Sequence, residues 1–260
     1  PIKTGRYRVF MQCDVDIVGC KDARADAEML NIARDIFNKL KLDIIIIVNN
    51  RKILNAIMDY AGIEQDKREL AILSIDKLEK LGLKYVEDEL KKNGLNEKQI
   101  KGLINVITIK GNNKEKIEKL KKLLSNQDGL IEVENLLKYA DADFDASLAR
   151  GLSYYTGNIF EVYLKDSEIK SSVAAGGRYD KMIGDLLGRG EYPAVGISFG
   201  LDVITDAIKL DKKSELKKSV AQIYAIPIKT FDKAIKIVEK LRSNNIKVDI
   251  DLMERGISKN

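Results

Sequence analysis

A chain of 260 residues, 45% of them apolar and 33% charged, is long enough to bury one large core or two modest ones, which excludes a disordered chain. Lys and Arg number 45 against 40 Asp and Glu, a net charge of +5 that is too balanced to argue by itself for a nucleic-acid binder. Histidine is absent, which removes the commonest general base, the commonest metal ligand and every Ser-His or Cys-His catalytic arrangement. Cys13 and Cys20, the only two cysteines, cannot build a disulfide framework or a zinc knuckle, and no stretch reaches the roughly 18 apolar residues of a membrane span. A reducing, cytoplasmic setting is expected, with chemistry resting on carboxylates, arginines, tyrosines and positioning.

Residues 6–18 alternate: Tyr7, Val9, Met11, Cys13, Val15 and Ile17 fall on one side, and Arg6, Arg8, Phe10, Gln12, Asp14 and Asp16 on the other, the pattern of a strand with one buried face. Residues 22–40 carry apolar side chains at helical spacing, and residues 43–48 are a short β-branched run, so the first unit is strand, helix, strand. From residue 51 to about residue 127 the pattern changes to short Lys/Glu-rich helices at 52–60, 66–80, 85–92, 97–106 and 114–124, punctuated by Gly62, Gly82, Gly94 and Gly111, which predicts a helical insertion. Strand-like runs resume at 145–155, 159–164, 171–175 and 194–199, separated by glycines, with a short helix near 181–187.

Strands flanking a helical block predict an α+β fold built on one antiparallel sheet interrupted in sequence. The charged run at 210–218 reads as a linker. After it, a strand at 220–228, a helix at 231–243 and a strand at 246–252 predict a parallel βαβ unit, the start of a second, α/β domain. The expected divisions are 1–50 and 131–212 for the two parts of the sheet domain, 51–130 for the insertion and 219–260 for the partial second domain. The chain opens on Pro1 without an initiator Met and stops straight after an apolar strand pattern, as a piece of a longer protein would.

Four segments carry the chemistry. The polar face of the first strand lays two arginines, an aromatic ring, an amide and two acids in a row; arginine forks suit phosphate, and Gln and Asp suit a zwitterion and an N–H group. An ordinary solvated sheet face is the alternative. Residues 149–157 place Arg150 beside Tyr154 and Tyr155, of which a regular strand would put only one on the Arg face. Residues 174–180 end a strand on Gly176 and Gly177 before Arg178 and Tyr179, as close approach of a ligand or of another backbone requires. Residues 193–203 alternate Gly196, Ser198 and Gly200 before a helix whose N-terminus favours phosphate.

Together these segments resemble a known family. Residues 5–19 are similar to the second half of motif 2 of histidyl-tRNA synthetases, a class II aminoacyl-tRNA synthetase family. Residues 150–157 and 174–180 resemble its two histidine-recognition motifs, residues 194–201 its motif 3, and residues 220–260 the beginning of its anticodon-binding domain. The resemblance covers the chain in order, without motif 1 and most of the anticodon-binding domain.

The resemblance implies a class II antiparallel sheet flanked by helices, and an enzyme that activates histidine with ATP and passes it to the 3′ end of tRNA(His). It implies ATP phosphates on Arg6, adenine on Phe10, ATP at Gly200, the histidine backbone on Gln12 and the imidazole on Asp16. It further places Arg150 between the histidine carboxylate and the α-phosphate, with Tyr154, Tyr155 and Tyr179 around the amino acid, and makes Arg150 and Arg6 the catalytic residues. Mg²⁺ on the ATP phosphates and a homodimer follow from the family, although no compact carboxylate cluster marks a metal.

Two departures qualify the match. The family's motif 3 arginine falls on Val203, so Arg178 or Arg189 would have to replace it, and Val9 stands where the family carries an acid or amide. A paralogue that kept the pocket and lost aminoacylation, such as the histidine-sensing regulatory subunit of ATP phosphoribosyltransferase, is the second reading; the βαβ start at 220–252 speaks against it. A non-enzymatic RNA-binding module using the Lys-rich helices from Lys67 to Lys122 is the third, weakened by the nearly equal number of acids there.

Overall fold

A computed structural model of the chain describes residues 7–151, 153–211 and 219–253; Arg6 and most of the expected linker lie outside them. The elements are β1 (Gln12–Val18), α1 (Ala23–Leu40), β2 (Ile44–Asn50), α2 (Arg51–Tyr60), α3 (Gln65–Ile75), α4 (Leu78–Leu81), α5 (Leu83–Lys92), α6 (Glu97–Ile107), α7 (Asn113–Leu123) and α8 (Asp128–Leu137). They continue with β3 (Asp143–Phe144), β4 (Asn158–Leu164), β5 (Ala174–Arg178), α9 (Met182–Leu187), β6 (Ala194–Gly200), α10 (Leu201–Asp211), β7 (Ile223–Ala225), α11 (Phe231–Ser243) and β8 (Val248–Ile250). The chain divides after Leu210 into two compact units.

In the first unit the described residues form a six-stranded sheet in the order β1-β6-β5-β4-β2-β3. Every pairing is antiparallel except β2 with β3, so the sheet is mixed but mainly antiparallel, an α+β fold. Because side chains alternate across a strand, one face carries Phe160, Val162, Ile197 and Phe199, all buried. This face packs on α1, where the rings of Phe37 and Phe199 lie 6.3 Å apart. The opposite face carries Gln12, Asp14, Asp16, Gly196, Ser198, Ala175, Gly177, Glu161 and Tyr163, as the pairings Asp14 with Ser198, Ala175 with Ser198 and Glu161 with Ala175 require.

The helices hold local signals. The Asp22 carboxylate caps α1 by accepting from the Arg24 amide at 2.9 Å, and Asn96 with Gln99 and Asn112 with Glu115 form reciprocal capping boxes at α6 and α7. Apolar residues of α2 through α8 join the same buried core as the sheet. The helix α8 was not anticipated; it packs against α1, α2 and β2. The expected helix at 66–80 is two helices, α3 and α4.

Three strand expectations are corrected. The first strand starts at Gln12 rather than Arg6, because the residues before it are tied to α10: the Met11 amide donates to Asp202 at 2.7 Å, the Leu201 amide to the Met11 carbonyl at 3.0 Å, and the Tyr7 hydroxyl meets Asp206. Phe10 is therefore not on the strand and is 57% exposed. The described residues of the expected strand at 145–155 are not a strand. The buried Asn49 amide donates to the carbonyls of Ala146 and Leu148 at 3.1 and 2.8 Å, and Ser147 folds back on Asp145, so the loop's carbonyls are satisfied by a side chain instead of a neighbouring strand. Third, Gly176 and Gly177 lie inside β5, not beyond its end; a Cβ on Gly176 would collide with the Gly196 carbonyl, so close strand approach explains that glycine.

The second unit is the anticipated βαβ: β7 and β8 pair in parallel, and Val238 of α11 packs with Val248 and Ile250.

Candidate active site

The polar sheet face holds a cavity of about 270 Å³ lined by Asp14, Asp16, Tyr154, Tyr155, Tyr179 and Ser198 over a floor that includes Gly176, Gly177 and Gly196. Each floor glycine answers to a particular neighbour. A Cβ on Gly196 would strike the Asp16 carboxylate, and one on Gly177 would sit 2.8 Å from the Tyr155 ring. The small residues thus leave the acid and the ring their places.

Asp16 accepts a hydrogen bond from the Tyr179 hydroxyl. Burial, then this carboxylate, push the Tyr179 hydroxyl well above its usual pKa, so it stays a donor. Tyr155 is 7% exposed, and burial likewise raises its hydroxyl far above the usual value. Tyr154 packs at 4.6 Å from Tyr155 and edge-on at 6.4 Å from Tyr179. Because residues 153–155 form a turn and not a strand, both adjacent tyrosines reach one cavity, which a regular strand would forbid. Beside it, Gln12 donates from Nε2 to the Ser198 hydroxyl at 2.7 Å, and Gly200 pairs with Gln12.

Arg150 stands next to this cavity and not among its lining residues. Its Nη1 donates to Glu161 at 2.9 Å, its guanidinium lies 5.6 Å from the centre of the Tyr155 ring, and its Nε is buried without a partner. The structure therefore gathers Asp16, Tyr154, Tyr155 and Tyr179, sets Gln12 and Gly200 along the same strands and Arg150 one ring away. It leaves Phe10 apart on an exposed segment, and Arg6 lies outside the described residues.

Arg178 cannot replace the missing motif 3 arginine. Alternation along β5 sends Tyr179 to the cavity and Arg178 to the opposite, core face. There Nε and Nη2 engage Asp26 of α1, and Nη1 engages the Cys20 carbonyl at 2.9 Å and Asp180 at 3.2 Å. Burial works against the charge, but Asp26 and Asp180 hold the guanidinium above its ordinary pKa, and no donor remains for a phosphate. Val203, in the first turn of α10, packs against the core, and Arg189 is exposed.

Sequence reasoning missed Glu161, Asp26 and Asn158. The Asn158 amide donates to Asp26 at 3.2 Å and accepts from Asn50 at 2.9 Å, and Asn50 also donates to Glu132 at 2.7 Å, which makes a buried polar chain between sheet and helices. The available signal was a lone charged residue in the apolar run Asn158–Leu164, and Asp26 inside an apolar helix stripe. Among the described residues no group of three or more acids or cysteines is placed to hold a metal ion. No described helix is long and apolar enough to cross a membrane, and both cysteines are free.

A mainly antiparallel sheet backed by helices, with its ligand-sized cavity on the open face, is the fold of the class II aminoacyl-tRNA synthetases. The sequence model of the histidyl-tRNA synthetase family matches residues 1–204, and the chain belongs to that family. Histidine–tRNA ligase 1 of Bacillus cereus is 39% identical over 271 residues, covering 100% of this chain and 61% of that protein. Histidine–tRNA ligase 2 of Shouchella clausii is 36% identical, covering 100% and 63%. The crystal structure of histidyl-tRNA synthetase from Nostoc sp. PCC 7120 superposes with a TM-score of 0.79 at 30% identity over 96% of this chain and 63% of that one. An ATP phosphoribosyltransferase regulatory subunit/histidyl-tRNA synthetase from Bacillus halodurans shares the fold, with a TM-score of 0.70 at 21% identity over 93% and 62%. The chain thus spans less than two thirds of the length of these relatives.

Proposed function

We propose that the open sheet face binds histidine and ATP and forms histidyl adenylate, from which the histidyl group passes to the 3′ end of tRNA(His). The observation that carries this reading is the cavity in which Asp16, backed by Tyr179 and given room by Gly196, is set among three tyrosines. An anionic acceptor in a ring-walled slot suits an imidazole N–H. Gln12 serves the amino acid's backbone end, Tyr154 and Tyr155 close the slot, and ATP lies toward Gly200 with its adenine on Phe10 and its phosphates on Arg6. A histidine carboxylate oxygen attacks the α-phosphorus, its bond to the bridging oxygen breaks, and pyrophosphate leaves. A terminal ribose hydroxyl of the tRNA then attacks the adenylate carbonyl, the bond from that carbon to the phosphate oxygen breaks, and AMP departs with the hydroxyl proton on its phosphate.

Neither step needs a histidine as base. Reactants held in line gain on the order of 7 to 11 kcal/mol from orientation, and Arg150 stabilises the charge that develops on the phosphate. Mg²⁺, when present, would neutralise ATP phosphate charge, held by the nucleotide rather than by a cage of this chain. In the same proposal residues 51–130 are the family's helical insertion, residues 219–260 the start of its anticodon-binding domain, and the working form is a cytoplasmic homodimer.

Thermal stabilisation tests the reading. A ligand at 100 times its dissociation constant adds about 2.7 kcal/mol, so histidine should shift the melting temperature selectively among amino acids, and a stable histidyl-adenylate analogue should shift it further. No shift with either sinks the proposal. Val203, where the family has an arginine, favours a second reading as a histidine sensor without aminoacylation. A shift with histidine alone, and no histidine-dependent exchange of labelled pyrophosphate into ATP, would select it.

A further inference from the structure

Glu161 is the only charged residue of β4, an internal strand between β2 and β5, where a carboxylate is costly unless paired. Its side chain is 16% exposed and that of Arg150 18%. One Glu161 oxygen accepts from Arg150 Nη1, and the other meets the Tyr163 hydroxyl, which stands 2.9 Å from Glu79 of α4. Asp76, Glu79, Lys80 and Asp145 are the charged groups that line the neighbouring cleft of about 200 Å³ with Glu161 and Tyr163. Arg150 therefore has one nitrogen fixed, one ring face against Tyr155 and a buried Nε still open. A guanidinium anchored at one end, with donor capacity left over, is arranged to meet an incoming anion without first leaving water.

We propose that Glu161 is the positioning residue of this site: its carboxylate sets the Arg150 guanidinium against Tyr155, and the Tyr163 hydroxyl, donating to Glu161, sets that carboxylate in turn. The proposal rests on the reading of Arg150 as the contact to the reacting phosphate. Loss of the Glu161 charge leaves the cavity's own residues in place but frees the arginine.

The test is calorimetric binding to the full chain of two probes, histidine and the sulfamoyl analogue of histidyl adenylate. Glu161→Gln should weaken the analogue by about tenfold, the scale of one charged hydrogen bond, and leave histidine within about twofold. Arg150→Ala should do the same or more, and the double variant should bind no more weakly than Arg150→Ala alone, since Glu161 acts through Arg150. Tyr163→Phe should lose less, in the same direction, and decides the matter if Glu161→Gln does not fold. Additive losses in the double variant, or unaltered analogue affinity in both Glu161→Gln and Tyr163→Phe, overturn the proposal alone. Unaltered affinity in Arg150→Ala overturns the role given to Arg150 and the proposal with it.

Discussion

The region around Arg178 and the region around Arg150 each place a guanidinium among buried carboxylates, but they satisfy it differently. Arg178 meets two carboxylates and two backbone carbonyls, and its side chain is 7% exposed. Arg150 meets one carboxylate and one aromatic ring, and keeps a buried donor unpaired. A fully satisfied buried ion pair costs several kcal/mol to break, whereas an arginine with an open donor has an interaction left for a ligand. The same residue type thus serves structure on one face of the sheet and, in the proposed function, chemistry on the other.

Asp26→Ala should be the most disruptive change, because it strands Arg178 in the core; a loss of about 3–5 kcal/mol in urea-induced unfolding is expected. A loss no greater than that of Arg150→Ala would erase the contrast between the two regions. Gly196→Ala comes next: the added methyl displaces the Asp16 carboxylate, costing about 1–3 kcal/mol of overpacking, and should abolish the thermal shift given by histidine. Retention of that shift would show that Asp16 does not hold the ligand. Arg150→Ala should cost about 1.5–3 kcal/mol of stability, since it leaves Glu161 without its cation, while its larger effect appears in binding of the adenylate analogue.

The smallest expected effect is on pH dependence. Burial lifts the Glu161 carboxyl above its ordinary value of 4.5, against the pull of Tyr163 and Arg150. The folded state then binds that proton more tightly than the unfolded one. Its stabilising contribution is full below 4.5 and is lost as the pH rises through the raised value. Stability of the chain relative to Glu161→Gln should therefore fall on going from about pH 4 to pH 7. A flat difference would mean that Glu161 is not desolvated as its neighbours imply.

Much of the site was legible because its residues sit at strand spacing: Gln12, Asp14 and Asp16 share a face by period alone, and the glycine stripe of β6 lies opposite them. Position beyond the strand was not legible. Period extended the first strand back to Arg6, whereas Asp202 and Asp206 draw that segment onto α10, a contact made across some 190 residues of sequence. Residues 145–155 carry apolar side chains that resemble a strand, but Asn49, distant in sequence, takes the loop's carbonyls. Parity would have separated Arg178 from Tyr179, yet which face was the core depended on where α1 packs. Glu161 hid in a run dominated by its apolar neighbours.

The pairing of β1 with β6 has a consequence for how the protein is made. Gln12 lies opposite Gly200, and Asp16, the acid of the cavity, belongs to a strand whose partner among the described residues is the last strand of that sheet in sequence. At about 5–20 residues per second, the ribosome delivers that partner on the order of 10–40 s after β1 emerges. The pocket is consequently a late-forming part of the fold, governed by long-range contacts that close slowly.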